Sequence, residues 1–141
     1  MIPTHWHQLT WEEIGALPAG GMDGVILPVG ATEQHGPHIV CGVDTEIAQQ
    51  VCQQAAELSG IPVLPVLPYG CSIGHSQRWP GTLALQAKTL IDVVKQFVDC
   101  VYLSGFSRFF IINSHVKNLA QLRCALEMLR AEHDELKLAL I

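Results

Sequence analysis

Val25-Ile-Leu-Pro-Val29, then Gly30-Ala-Thr-Glu33-Gln-His35-Gly-Pro-His38, then the run from Thr45 to Leu58 decide how this chain folds. The first run is short, apolar throughout and closed by Gly30, the pattern of a strand buried on both faces. From Thr45 to Leu58 the residues Ile47, Ala48, Val51, Ala55 and Leu58 share one helical face. That predicts a helix turning them inward and stopping at Ser59-Gly60. Strand, loop, helix is the unit from which parallel sheets are built.

The unit recurs on both sides of the loop. Upstream, Thr10 is placed to cap a short helix whose first turn carries Glu12 and Glu13, and Pro18-Ala-Gly-Gly21 stops it. Downstream, Ile61 to Leu67 reads as a second strand, irregular or partly edge-exposed because Pro62, Pro65 and Pro68 cannot donate to a ladder. A helix near Gln86 to Leu103 turns Leu90, Val93, Val94, Phe97 and Val101 inward, with Gly105 as its C-cap. Arg108-Phe-Phe-Ile-Ile112 is the third strand. A helix near Lys117 to His133 buries Leu119, Leu122, Leu126 and Leu129, and Lys137-Leu-Ala-Leu-Ile141 reads as a fourth strand. Alternation at these lengths predicts an α/β fold, three-layer α/β/α with a mainly parallel sheet. A chain stopping on an apolar strand leaves a sheet edge open, so the expectation is one domain over residues 1–141, truncated after the fourth strand and incomplete at its C-terminus.

Composition narrows the function. The chain has 141 residues, 49% of them hydrophobic, which is enough for one core and too little for two ordinary domains. Eight basic against 13 acidic side chains give a net charge of −5, which argues against nucleic acid as a partner. No apolar stretch approaches the roughly 20 residues of a membrane span, and the N-terminus lacks the basic start and apolar run of a signal peptide. A cytoplasmic protein with no membrane partner is expected. Five scattered cysteines without a C-x-x-C pair read as reduced, mostly buried thiols.

In open parallel sheets ligands sit beyond the carboxyl ends of the strands, so the loops after the first and third strands come under scrutiny. One holds Glu33 and His35, the other Asn113-Ser-His115. In extended backbone Glu33 and His35 point to the same side, and Asp44 stands where the next helix starts. Such oxygen and nitrogen donors suit zinc, manganese or iron, and a bridging Asp44 can hold two ions near a shared hydroxide nucleophile. Each residue also has a structural reading: Asp44 as a helix N-cap, His115 as a hydrogen-bonded histidine at a strand end, Glu33 and His35 as parts of a solvated turn.

Taken in order, Leu27-Pro-Val-Gly-Ala-Thr-Glu-Gln-His-Gly-Pro-His38, Asp44-Thr45, Tyr69-Gly70 with His75, Pro80-Gly-Thr82, Gly105-Phe106 and Asn113-x-His115 closely resemble the creatininase (creatinine amidohydrolase-like) family. The resemblance runs over nearly the whole chain. It implies a three-layer α/β/α fold and metal-dependent hydrolysis of a small, in some members cyclic, amide. Creatinine-type ring opening and formamide deformylation both occur under that description. It further implies Glu33, His35, Asp44 and His115 as ligands of one or two divalent ions, zinc, manganese or iron, with Asp44 bridging. His75 and Ser76, with Ser72 beside them, are the candidates for substrate contact; His75 serves equally well as a residue that stabilises its turn. Catalytic residues are not assigned, because the family's His-Ala-Gly…Glu-Thr-Ser type segment is not in this sequence.

Two positions depart from the family pattern. Lys117 stands where creatinine-hydrolysing members carry a second acidic ligand, and Ser114 where glycine is common. An ammonium facing a dication repels it, so Lys117 either points away or weakens a second ion. The rival reading is a truncated, catalytically inactive relative that binds metal or a complementing C-terminal fragment. Homo-oligomerisation is the other expected association.

Overall fold

The computed structural model describes residues 4–141. The first three residues, on which part of the N-terminal reading rests, lie outside it. The elements in chain order are a 3-10 turn at Trp6–Gln8, then α1 Trp11–Ala19, β1 Gly24–Val29, α2 Val43–Ser59, the one-turn α3 Ile73–Ser76, α4 Ala87–Leu103, β2 Arg108–Asn113, a second 3-10 turn at Val116–Asn118, α5 Leu119–Glu132 and β3 Lys137–Leu140. The three strands run parallel in the order β1-β2-β3, with Gly24 opposite Arg108 and Arg108 opposite Lys137.

The segment from Ile61 to Leu67 does not form the continuous second strand that its apolar residues predict. It follows β1 in parallel through two isolated bridges, Ile26 to Val63 and Val29 to Leu67. Hydrogen bonds from Ile26 N to the Pro62 carbonyl and from Leu67 N to the Pro28 carbonyl hold it there. The prolines between and beside the bridges have no N–H to donate, so the ladder breaks at each of them.

Every residue of β1 is buried, because helices cover both faces. Val25, Leu27 and Val29 face a core shared with Leu90, Val94 and Val98 of α4 and Leu122, Leu126 and Leu129 of α5. Ile26 faces the other way, against Cys52 and Ala56 of α2 and Val63. This makes three layers. Thr10 caps α1 as expected, in a full capping box with Glu13. Ser104 caps α4, and Gly105 follows it at φ +98°.

α2 is rotated away from the orientation its large apolar residues predict. Its buried stripe is Asp44, Ala48, Cys52 and Ala56. Ile47 and Val51 are half exposed and Leu58 is 90% exposed. The cause is a close approach at the start of the helix, where a side chain on Gly30 would place its Cβ 2.6 Å from the Thr45 Cα. Only glycine permits that contact, and the contact sets which face of α2 meets the sheet. The cysteines also differ from expectation. All five are free, but Cys100 and Cys124 are exposed and Cys41 is half-buried. Cys52 and Cys71 are buried, and burial raises both thiols, Cys52 to about 11.

Candidate metal centre

Three of the four expected ligands meet beyond the carboxyl ends of β1 and β2. Glu33, Asp44 and His115 are each buried, and each offers an atom within 4.8 Å of those of the other two. Glu33 comes from the loop after β1, where its N–H donates to the Cys41 carbonyl. Asp44 lies in the first turn of α2, whose N-cap is Gly42, so its carboxylate does not cap the helix and turns inward. His115 follows β2 and stands just before the Val116–Asn118 turn.

The hydrogen bonds around the two histidines leave acceptors facing acceptors. His115 Nδ1 is 2.8 Å from Asp44 Oδ2, the distance of an N–H donating to a carboxylate. With the proton on Nδ1, Nε2 carries a lone pair, and it lies 3.2 Å from Glu33 Oε2. His35 repeats the arrangement: its Nδ1 is 2.8 Å from the Glu33 carbonyl, and its Nε2 faces Asp44 Oδ1 at 3.5 Å. A backbone carbonyl holding one ring nitrogen so that the other is free is how ligating histidines are oriented. Two lone pairs at such distances repel until a proton or a metal cation comes between them. The donors also suit the ion chemically, since ligands about 2.0–2.2 Å from a zinc-sized cation stand roughly 3–4 Å from one another.

Charge around Glu33 is concentrated further. Lys117 Nζ lies 3.2 Å from Glu33 Oε1, and His75 Nδ1 contacts the same oxygen. Burial pushes the Glu33 carboxyl up, but the Lys117 hydrogen bond and the charges of His115, Lys117 and His75 outweigh it and hold the group below its ordinary value. Lys117 thus points toward the cluster. Ser114, the other departure from the family pattern, donates its hydroxyl to the Asp44 carbonyl and ties the β2 loop to α2.

Of the expected substrate contacts, His75 reaches the cluster through Glu33 and stacks edge-on against Trp79 at 5.3 Å. Ser76 does not; it is exposed, and its hydroxyl donates to the Ile73 carbonyl. Ser72 is buried and its Oγ sits 2.9 Å from His115 Nε2, the same nitrogen that faces Glu33. Asn118 was not anticipated at all. Wholly buried, it accepts from Cys71 N at 2.9 Å and donates to the Gly30 carbonyl at 3.0 Å, joining the loops that carry Ser72 and Glu33. A Cβ on Gly70 would collide with its Oδ1. The one sequence signal was its place three residues after His115, inside a turn.

Known proteins resemble both the sequence and the arrangement. The family model Creatininase, described as creatinine amidohydrolase, matches residues 7–140. The chain is 36% identical over 115 residues to creatinine amidohydrolase of Pseudomonas putida, covering 79% of this chain and 44% of that protein. It is 34% identical over 114 residues to the mycofactocin precursor peptide peptidase of Mycolicibacterium smegmatis, covering 77% of this chain and 45% of that protein. The chain therefore spans about half the length of the curated relatives it matches. A crystal structure of creatinine amidohydrolase superimposes with a TM-score of 0.88 at 33% identity, over 100% of this chain and 58% of that one. Two further solved creatininases, at TM-scores of 0.87 and 0.86 and 32% identity, are a mutant of Zn-Zn type and a manganese form; each aligns with 98% or more of this chain and with 58% and 57% of its own length. Among the described residues no helix is long and apolar enough to cross a membrane.

Proposed function

The chain belongs to the creatininase family, and on that premise we propose that Glu33, Asp44 and His115 hold a divalent metal ion for the hydrolysis of a small amide. The observation that carries this is the convergence of buried Glu33, Asp44 and His115, with His115 Nε2 3.2 Å from Glu33 Oε2 while its Nδ1 already donates to Asp44. A cation between His115 Nε2 and Glu33 Oε2 suits that contact. When bound, such an ion supplies Lewis acidity and lowers the pKa of water.

The protein's part is to fix the donors. Asp44 accepts from His115 Nδ1 and faces His35, so one carboxylate orients two rings. Ser72 and the Asn118 turn hold the His115 loop in place. His75, only partly buried beside Glu33, borders the open side and is the side chain best placed to meet a substrate's polar group. Relatives of this chain include an amidohydrolase, a peptidase and a 3-dehydro-scyllo-inosose hydrolase, so bond type within hydrolysis varies in the family. We assign the small-amide reading on the 36% identity to the amidohydrolase.

Because the chain spans about half of those relatives, metal binding is proposed for these residues and hydrolysis for a polypeptide of the relatives' length. Two measurements test the parts separately. Equilibrium dialysis of this chain against zinc or manganese should show tight binding; none would end the metal-centre reading. Turnover of creatinine and of a formamide by a polypeptide of the relatives' length that contains this chain, with and without the ion, then tests the substrate class. Tight binding without turnover of either would point to a metal-holding relative that is hydrolytically silent on these amides.

A further inference from the structure

Resting on the assignment of Glu33, Asp44 and His115 as donors, we infer that Lys117 is a built-in cation of the centre that limits it to one tightly held divalent ion. Its Nζ is 3.2 Å from Glu33 Oε1. The residue sits on the Val116–Asn118 turn, and the last residue of that turn is wholly buried and bonded to two loops. The turn's backbone is therefore anchored from beneath while the lysine side chain, 42% accessible, leans over the pocket. Its bulk can move aside. Its charge stays close.

Counting charges shows the consequence. Glu33 and Asp44 bring two negative charges into the donor cluster, and Lys117 offsets one of them. A first dication leaves the assembly with a single positive charge, whereas a second raises it to three. Like charges at such range in a partly desolvated pocket repel by several-fold more than in water. The second ion also lacks donors: the gap between His35 Nε2 and Asp44 Oδ1 has those two protein ligands, and Asp44 is already engaged by His115. Catalytic zinc sites use three protein ligands, so two leave the second position weak even before repulsion is added. Lys117 Nζ also draws on the Glu33 carboxylate through Oε1 while Oε2 faces His115, so removing the ammonium leaves that carboxylate a stronger donor and strengthens the first site as well.

The test counts ions on this chain as it exists. Parent, Lys117→Arg, Lys117→Met and Lys117→Glu are dialysed against zinc alone and manganese alone, then weighed by native mass spectrometry and titrated against a chelating dye. Parent and Lys117→Arg should each retain one ion. Lys117→Met should bind a second at least about tenfold more tightly than the parent does, since one repelling charge is gone. Lys117→Glu should retain two. Thermal melts in parallel check folding, and the parent's stabilisation should saturate at one equivalent of metal. Two tight ions in the parent, or a second-ion affinity in Lys117→Met equal to the parent's, overturns the inference and leaves the metal centre standing. No ion in any of the four proteins overturns both.

Discussion

Among the described residues, two groups of one histidine and two carboxylates have a lysine paired with one carboxylate, and they differ in almost everything else. Glu33, Asp44 and His115, with Lys117, are buried beyond the ends of parallel strands. Asp99, Glu132 and His133, with Lys95, lie at the surface where α4 passes the end of α5. In the second group His133 Nε2 is 2.9 Å from Asp99 Oδ1 and Lys95 Nζ is 2.5 Å from Glu132 Oε1, so each of these two nitrogens meets an oxygen that can accept from it. In the first, His115 and His35 each turn a second ring nitrogen toward a carboxylate while the other nitrogen is already bonded. Residue types alone do not distinguish the groups. What separates them is that two loops and the start of α2, fixed by the sheet, bring buried carboxylates and a buried histidine together where the local dielectric is low.

The sharpest way to break this comparison is to remove one carboxylate from each group. Asp44→Ala should weaken zinc binding by about a thousandfold or more, since it takes a ligand and the orientation of two histidines with it. Asp99→Ala should leave that affinity unchanged. Competition with a chelating dye reads both, and equal effects would mean that burial does not select the site.

A smaller effect is expected in stability without metal. Asn118→Ala orphans the Cys71 N–H and the Gly30 carbonyl in the interior and should cost about 2–4 kcal/mol in urea melts. Lys95→Ala breaks one ion pair whose glutamate is open to solvent and should cost less, about 1 kcal/mol. A lysine variant as damaging as the asparagine variant would contradict the contrast drawn between the groups.

The smallest expected effect is on the acid limb of stability. Glu33 titrates in the folded protein below its ordinary value. A carboxyl depressed by folding contributes stability above its unfolded pKa and loses it as pH falls through the lower folded one. The metal-free parent should therefore lose stability in that acid window, and Glu33→Gln should lose less there while converging with the parent at still lower pH. Chemical denaturation across the acid range checks the slope; an unchanged slope would place the cause of acid sensitivity elsewhere.

Much of this was written in the chain. The apolar runs at Val25 to Val29 and Arg108 to Ile112, spaced by helices with their own stops, determine parallel strands and a layered α/β fold, because each run can be buried only between helices. Segments after parallel strands open on the same end of the sheet, and the order of the chain therefore brings Glu33, Asp44 and His115 together there. Tertiary structure alone decided the rest. α2 buries Ala48 and Cys52 while exposing Val51 because Thr45 presses on Gly30, a contact that periodicity does not encode. Ser72 and Asn118 carry no pattern that marks them, and they matter only because distant loops meet there. Whether Lys117 faced the cluster or the solvent also depended on a turn anchored by its buried neighbour, since a long side chain follows the backbone that aims it and the charge that attracts it.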